Sequence, residues 1–79
     1  MSATKARFHI GQQILHKRFN YHGIVIGVDL QFNSSEEWYE LVATSRPPKD
    51  RPWYHILAHD GRRTYVAERH LDPDPHINN

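Results

Sequence analysis

The second half of the chain contains the pattern that most constrains the fold. Two apolar runs, Trp53–Ala58 and Arg63–Ala67, flank the pair Asp60-Gly61. Asp-Gly between two such runs is a strong signal for a β-hairpin with a type I′ turn, in which both central residues have positive φ. The sequence therefore predicts two antiparallel strands joined by a tight turn.

Three more segments have the composition of β-strands, namely Gln13–His16, residues 23–29 and residues 69–71. Runs that are rich in β-branched residues and bounded by turn residues are typical of strands, and the segment 23–29 fits this description best. Together with the hairpin, these segments predict about five strands.

The strand at 23–29 contains a glycine at position 27. A glycine inside a strand often marks a bulge or a bend, so we expect the strand to bend there. Strand alternation places two sets of side chains on opposite faces of the sheet. The sets are Ile24, Ile26 and Val28 on one face, and Val25 and Gly27 on the other.

The connection between positions 30 and 51 predicts a short helix followed by an extended loop. Ser34 and Glu37 have the spacing of a capping box, which predicts a helix over residues 35–42. A helix of two turns is marginal by itself, so it must pack against the sheet. The proline-rich segment 46–52 favours an extended, polyproline-like loop.

A chain of 79 residues without cysteine predicts one small domain with no disulfide framework and no thiolate zinc site. Such a domain needs a compact and well-paired architecture, and closing a sheet removes its vulnerable edges. We therefore predict a mainly β fold: a small antiparallel β-barrel of about five strands, with one long loop that carries a short helix. The predicted boundaries are a disordered N-terminus at 1–7, the domain at 8–71 and a flexible tail at 72–79.

The chain has no apolar run long enough for a membrane span, and its first residues lack the apolar stretch of a secretory signal. We therefore expect a cytoplasmic protein without a membrane partner.

Seven histidines raise the question of a metal site. His55 and His59 have the spacing with which two ligands bind zinc from one face of a helix. Here they lie on a predicted strand, where four residues span about 13 Å, too far for two ligands of one ion. We predict no metal site and no cofactor, and histidines that are exposed or half-buried. Because histidine titrates near pH 6.5, any anion binding is expected to tighten below about that pH.

Patterns of catalytic residues are weak. Ser34 and Ser35 precede the predicted helix, where capping accounts for them, and they are not part of a nucleophile elbow. Glu36, Glu37 and Glu40 are expected on a solvated helix surface, and the four glycines form no phosphate-binding loop. We therefore predict that the protein is not an enzyme.

Basic residues next to aromatic residues form a more promising pattern. The segment 17–22 reads Lys-Arg-Phe-Asn-Tyr-His, and Arg62 and Arg63 lie at the tip of the predicted hairpin. If these loops converge on a small barrel, they form a patch that tracks phosphates. The alternative is that they are solvated loop residues whose charge is offset by nearby acids. The formal net charge of +1 does not decide between the two.

The aromatic residues Trp38, Tyr39, Trp53 and Tyr54 also have two interpretations. Either they form a stacking platform, or they pack in the thin core of a small domain. Neighbouring strand residues point to opposite faces, so at most one of Trp53 and Tyr54 faces a given surface. Glu68, which follows an apolar run, is predicted to anchor the barrel closure by accepting backbone hydrogen bonds.

Four blocks of residues resemble, in order and spacing, the YccV/HspQ family of hemimethylated DNA-binding domains. The resemblance covers residues 8–71, nearly all of the predicted domain. The blocks are Phe8-x-x-Gly11-Gln12-x-x-x-His16, Tyr21-x-Gly23-Ile24-Val25-Ile26-Gly27-x-Asp29, Pro52-Trp53-Tyr54-His55-Ile56-Leu57 and Tyr65-Val66-Ala67-Glu68-x-x-Leu71.

The resemblance implies an SH3-like, mostly β small barrel without enzymatic activity. Members of the family are described as binding hemimethylated DNA, or as heat-shock specificity factors for an ATP-dependent protease in the bacterial cytoplasm. On the first description the partner is double-stranded DNA, and we assign its contacts by charge and aromatic placement. These candidate DNA contacts are Lys17, Arg18, Tyr21, His22, Trp38, Arg62 and Arg63.

On the second description the protein is an adaptor that delivers client proteins to a Lon-type or Clp-type protease. Its candidate contacts are Trp53, Tyr54 and Arg51, beside the proline-rich loop. A third alternative is a methyl-ligand reader with a cage of aromatic side chains. The chain departs from many relatives at Leu30, where they have proline, so the exit from the preceding strand is expected to differ.

Overall fold

One antiparallel sheet of five strands forms the molecule, in the order β4-β3-β2-β1-β5. The structure is a computed structural model that describes residues 5–75. The elements are β1 (Gln13–His16), β2 (Tyr21–Asp29), α1 (Glu36–Val42), β3 (Trp53–Ala58), β4 (Arg63–Ala67), a 3₁₀ turn (Glu68–His70) and β5 (Leu71–Pro73). The prediction of a mainly β fold with five strands and one short helix is confirmed. Within the described range, no helix has the length and apolar character of a membrane span.

The sheet curls strongly, but hydrogen bonds do not close it. Tyr21 Oη at the start of β2 lies 2.7 Å from Thr64 Oγ1 on β4, although β3 separates these two strands. The strands β4 and β5 are the two edges, joined by the 3₁₀ turn rather than by a ladder. The predicted barrel is therefore not confirmed, and the sheet has an open seam between its edges.

The last strand begins later than the sequence predicted. Residues 69–71 were expected to be a strand, but Glu68–His70 form the 3₁₀ turn and the strand is Leu71–Pro73. The turn carries the chain from β4 to the far edge, where Leu71 pairs with His16 of β1. Pro73 does not end the strand, because an edge strand tolerates a residue that lacks an N–H group.

The hairpin between β3 and β4 is confirmed, but its turn is not of type I′. Gly61 has a φ of 94°, whereas Asp60 has no positive φ. Gly61 N donates a hydrogen bond to Ala58 O at 2.9 Å, and Ala58 N donates to Arg62 O at 2.8 Å. Both distances are ordinary for backbone hydrogen bonds. This is a three-residue loop in which a type I turn precedes a left-handed glycine. Asp60 Oδ1 accepts a hydrogen bond from Arg62 N at 3.1 Å, which favours this conformation over the mirror-image turn.

A bulge in β2 changes which of its residues face the core. The register with β3 shifts between Val25 and Gly27, as expected for a bend at this glycine. The extra residue, Ile26, reverses the alternation, so Val25 and Val28 both pack against the same core cluster. The predicted separation of these two valines onto opposite faces is therefore wrong.

The core has two parts, one on each face of the β3–β4 hairpin. Tyr54 and Ile56 belong to the larger part, and Trp53 belongs to the smaller part, which α1 covers. The larger part consists of Phe8, Ile14, Val25, Tyr54, Ile56, Val66 and Leu71. The smaller part consists of Tyr39, Trp53 and Ala67, with Phe32, Trp38, Ala43 and Tyr65 packed against them. Because the helix buries the second face of the sheet, large aromatic residues are needed on both sides.

The helix starts one residue later than the capping-box pattern indicated. Ser35, not Ser34, is the N-cap, and its Oγ accepts a hydrogen bond from Trp38 N at 3.0 Å. Tyr39 is the buried residue of the helix, and its hydroxyl donates to Pro47 O at 2.7 Å. The proline-rich loop is thereby fixed against the helix.

Both ends of the described chain are tied to the sheet beyond the predicted domain boundaries. Glu68 Oε2 accepts hydrogen bonds from Arg7 N at 2.9 Å and from the Tyr54 hydroxyl at 2.6 Å, which confirms that Glu68 accepts from backbone. At the other end, Asp74 is buried and lies 2.9 Å from His22 Nδ1. Structure thus extends into the predicted termini, whose residues 1–4 and 76–79 lie outside the described range.

Replacing Gly23 by alanine is expected to destabilise the domain by about 1–3 kcal/mol. A Cβ atom at this position would lie 2.7 Å from Ile56 Cγ2 and 2.8 Å from Leu57 O, and the backbone carbonyl cannot move aside. Urea denaturation of Gly23→Ala measures the loss. A Gly11→Ala variant is the control. Its φ of 91° makes alanine strained in the backbone, but a Cβ atom there meets no other atom within 4 Å, so it creates no steric clash. Wild-type stability in Gly23→Ala would contradict the close approach.

Candidate functional site

An open groove of about 560 Å³ lies between the β1–β2 turn, α1 and the β3–β4 hairpin. His16 lines it from the end of β1, Phe19 from the turn that follows, and Trp38 from α1. Arg62 and Arg63 line it from the hairpin on the opposite side. The groove therefore gathers basic and aromatic side chains from separate parts of the sequence.

The strand register explains why the two basic loops meet here. β1 and β2 are joined by the turn at 17–20, and Gly23 near the start of β2 pairs with Ala58 at the end of β3. The β1–β2 turn and the β3–β4 turn consequently lie at the same end of the sheet. Asn20, with a φ of 56°, donates from its N to His16 O at 2.7 Å and so tightens the first turn. The convergence of the two loops, which the sequence left open, follows from this pairing.

Two arginines at the rim of the groove, Arg62 and Arg63, and the nearby Arg18 are exposed and only partly neutralised. Arg62 Nε lies 2.9 Å from Asp60 Oδ2, and its guanidinium carbon is 5.9 Å from the centre of the Tyr21 ring. Within residues 5–75, Arg63 and Arg18 make no ion pair with an acidic side chain. Hydrogen bonding to the Arg62 backbone lowers the pKa of Asp60, so this carboxylate offsets one of the three charges.

Aromatic rings form the walls between these charges. The Trp38 and Tyr65 rings meet edge to face with their centres 5.6 Å apart. The Tyr65 hydroxyl donates to Asp29 Oδ2 at 2.7 Å and accepts from Asn33 N at 2.9 Å, so the ring cannot swing away. Burial, followed by the hydrogen bond to Asp29, raises the pKa of Tyr65, which therefore stays a neutral phenol.

His16 forms part of the groove floor. Its side chain is only 4% exposed and stacks on Phe19 and Tyr21, with ring centres 4.9 and 4.8 Å away. Phe19 N donates a hydrogen bond to His16 Nδ1 at 3.1 Å. Burial, with the nearby His70 and Arg18 charges, lowers the pKa of His16 to about 4. His16 is therefore neutral at physiological pH, and the proton of its ring is on Nε2.

His70 stacks beside His16, with ring centres 5.7 Å apart, and its Nε2 lies 2.8 Å from Ser45 Oγ. Burial and the positive charges of Arg69, Arg18 and Lys17 also lower the pKa of His70. These two histidines consequently add little positive charge near pH 6.5. The predicted tightening of anion binding in mild acid is therefore not expected to come from His16 or His70.

The free energy of unfolding is expected to decrease as the pH falls from about 6.5 to about 4. In this window the unfolded chain binds a proton at position 16 before the folded chain does, because the folded pKa is lowered to about 4. The loss grows with falling pH and reaches about 3 kcal/mol when both states are protonated. Urea denaturation of wild type and His16→Phe across this range checks the prediction. The same pH dependence in both proteins would contradict it.

The structure brings four of the seven predicted DNA contacts together in the groove. These four are Tyr21, Trp38, Arg62 and Arg63. Arg18 lines a smaller adjoining cavity that shares His16 and Phe19 with the groove. Lys17 and His22 lie outside both cavities: Lys17 Nζ is 3.9 Å from Asp72 Oδ1, and His22 is paired with Asp74.

Sequence reasoning missed several residues of the groove. Tyr65 was not chosen as a contact, although strand alternation places it on the same face as Arg63. Phe19 was part of the 17–22 cluster but not chosen, and its side chain is 67% exposed beside the Arg18 guanidinium. His16 was noted as part of the family resemblance but not chosen as a contact, because its burial under two rings depends on the tertiary structure.

The candidate protein-interaction residues have a different placement from the one expected. Trp53 and Tyr54 are 1% and 0% exposed and belong to the two parts of the core. A docking surface needs accessible side chains, so neither ring provides one. Arg51 is exposed and lines a small cavity with Arg7 and Arg69 at the opposite end of β3 from the groove.

The histidines that raised the metal question point to separate partners. His55 Nε2 lies 3.1 Å from Asp29 Oδ2, whereas His59 Nδ1 lies 3.1 Å from His22 O. Across residues 5–75, no three side chains with metal-binding groups come together.

Comparison with known protein families gives a match that includes the groove. The family described as hemimethylated DNA-binding protein YccV like matches residues 6–79. The match covers the strands, the helix and both basic loops, and it confirms the resemblance that the four sequence blocks indicated.

Proposed function

Because this chain belongs to the YccV-like family, we propose that it is a non-enzymatic module that binds double-stranded DNA in the cytoplasm and prefers hemimethylated duplexes. The observation that carries this proposal is the position of Arg62 and Arg63, which are exposed at the rim of an aromatic groove. The family description supplies the class of ligand, and the groove supplies a place for it.

The arginines are the phosphate contacts in this proposal. Arg62, Arg63 and Arg18 present guanidinium groups that donate paired hydrogen bonds to phosphate oxygens. Each contact releases counterions from DNA, so binding weakens steeply as salt increases. Lys17 and His22 have a smaller part, because each already faces a carboxylate.

The aromatic side chains are the base contacts. Trp38 and Tyr21 line the groove and offer flat apolar faces for stacking. Phosphate contacts fix the position of the protein on the duplex, whereas contacts to bases carry sequence or methylation information. Preference for one methylation state must therefore come from the groove rather than from its basic rim.

Fluorescence anisotropy with three duplexes of one sequence tests the proposal. The duplexes are hemimethylated, fully methylated and unmethylated, and each is titrated at several salt concentrations. We expect the tightest binding to the hemimethylated duplex and a linear fall of log K with log salt concentration. Equal and weak binding to all three would reduce the interaction to non-specific charge attraction.

A second candidate function, delivery of client proteins to an ATP-dependent protease, is favoured by the edge strand β4. This strand pairs with β3 on one side only. Ala58 N donates to Arg62 O, and the alternation of antiparallel pairing then turns the backbone N–H and C=O groups of Arg63 and Tyr65 away from β3. These backbone groups lie next to the groove. An extended client peptide would pair with them and add a strand to the sheet.

A degradation assay with a Lon-type or Clp-type protease and an unfolded client tests this candidate. Faster client turnover in the presence of the protein, without DNA selectivity, would favour the adaptor. Arg63→Pro removes an outward N–H group and is expected to abolish the stimulation, whereas Arg63→Gln changes the charge but keeps the edge. Equal activity of the two variants would contradict strand addition at β4.

A further inference from the structure

The floor of the groove contains a neutral hydrogen-bond donor that the protein itself does not use. His16 Nδ1 accepts the hydrogen bond from Phe19 N, which leaves the ring proton on Nε2. Nε2 has no hydrogen-bond partner, although no fully buried polar side-chain atom within residues 5–75 lacks one. Nε2 is therefore accessible rather than fully enclosed in the core, and a ligand reaches it through the two cavities that the ring lines.

The surroundings of this donor suit a flat molecule with an acceptor atom. Phe19, Tyr21, Trp38 and Tyr65 supply aromatic surface in the same groove. Arg62 and Arg63 stand at its rim. A base can stack on the flat aromatic surfaces and accept a hydrogen bond from the donor. The arginines at the rim can bind the phosphates on either side of that base.

We propose that the groove receives a single nucleobase turned out of the duplex, and that His16 Nε2–H donates a hydrogen bond to an acceptor atom of that base. This inference rests on the proposed DNA-binding function. His16 is only 4% exposed at the floor of the groove, so a base that remains stacked in the duplex cannot reach its ring. The volume of about 560 Å³ lies within the range of ordinary ligand sites.

A neutral histidine is suited to this task for a physical reason. A charged imidazolium would attract phosphate into the groove, whereas the neutral ring leaves the phosphates to the arginines at the rim. The stacked rings of Phe19 and Tyr21 hold the imidazole plane in place. A donor that is fixed before binding selects a base with an acceptor atom at the facing position. A base with a donor there would leave two buried N–H groups without an acceptor.

Extrusion of a base has a cost that depends on its pairing. Unstacking a paired base takes a few kcal/mol, and a mismatched base takes less. A duplex with one mismatch at the target position is therefore expected to bind about 10-fold more tightly than its fully paired counterpart, which corresponds to about 1.4 kcal/mol.

The experiment combines affinity with a signal for base extrusion. Hemimethylated duplexes carry 2-aminopurine at successive positions of one site, and its emission rises when a neighbouring base leaves the stack. Anisotropy is recorded on the same duplexes. We expect the wild-type protein to raise the emission at one position and to bind the mismatched duplex more tightly.

Two variants separate the role of His16 from that of the fold. His16→Phe keeps a flat apolar ring but removes the donor, and it is expected to retain the salt dependence of binding and lose the preference for an acceptor-bearing base. His59→Phe, which lies in the β3–β4 turn but lines a different cavity from the groove, is the matched control and is expected to behave as wild type. In ¹⁵N-histidine spectra of the wild type, the His16 Nε2 proton is expected to be protected from exchange only in the complex.

The outcomes are distinct. Duplex binding with no emission change and no preference for the mismatch would overturn base insertion and leave the proposed function standing. Emission changes that are equal in wild type and His16→Phe, with unchanged base preference, would overturn the role of His16. Absence of duplex binding would overturn both the inference and the proposed function.

Discussion

Replacing Arg62 and Arg63 together by glutamine is expected to weaken duplex binding about 100-fold, with each lost phosphate contact worth about 10-fold. Both side chains are exposed at the rim of the groove, and only Arg62 has an acidic neighbour, Asp60. The slope of log K against log salt concentration is expected to decrease by about 2. Anisotropy titrations over a range of salt concentrations measure both quantities.

A control with the same change in net charge distinguishes position from total charge. Arg7 and Arg51 line a different cavity at the opposite end of β3, and glutamine at both positions also removes two positive charges. The affinity of this variant is expected to be within about 3-fold of wild type, because salt screens charges that lie more than a Debye length from the bound DNA. Equal losses in the two double variants would show that net charge alone drives binding.

Replacing Trp53 by alanine is expected to destabilise the domain by about 3–5 kcal/mol, a large part of the stability of so small a domain. The Trp53 ring is 1% exposed, packs between α1 and the sheet, and donates from Nε1 to Pro48 O at 3.1 Å. Its removal leaves a cavity under the helix and frees the proline-rich loop. Thermal and urea denaturation measure the loss.

Trp38→Ala is the matched comparison, because the two indoles touch with ring centres 6.0 Å apart but have different roles. Trp38 is half-buried and lines the groove. We expect a loss of at most about 2 kcal/mol in stability and about 10-fold in duplex affinity, as for one stacked base. A larger stability loss in Trp38→Ala than in Trp53→Ala would contradict the division between core and groove.

The strands were predictable from sequence because their signals are local. Alternation and turn residues predicted β3, β4 and the hairpin between them, and the glycine at 27 predicted the bend in β2. The turn type was wrong because the Asp-Gly pair also fits a three-residue loop, and the Asp60–Arg62 hydrogen bond favours that loop. The face of Val28 was wrong because one bulge reverses every later position in a strand.

The closure of the sheet was less predictable because it depends on contacts distant in sequence. A 3₁₀ turn replaces part of the predicted last strand, and β4 and β5 remain edges. No local pattern distinguishes a closed ladder from two edges joined by a turn. The groove lies beside the β4 edge, so the barrel closure that was not confirmed concerns the same part of the sheet as the candidate site.

The candidate site was partly predictable for similar reasons. Charge and aromatic spacing selected Tyr21, Trp38, Arg62 and Arg63, which the fold brings together. The aromatic interpretation could not be decided residue by residue, because Trp38 and Trp53 have similar neighbours in the sequence but different burial in the structure.

A ¹⁵N HSQC titration with a hemimethylated duplex tests the central claim, that the groove is the DNA-binding surface. We expect the shifted resonances to cluster at Phe19, Tyr21, the Trp38 indole and the hairpin residues Arg62 and Arg63. Resonances at the far end of β3, around Arg51 and Arg69, are expected to stay unchanged. Shifts centred on that far end, or no shifts at duplex excess, would contradict the account.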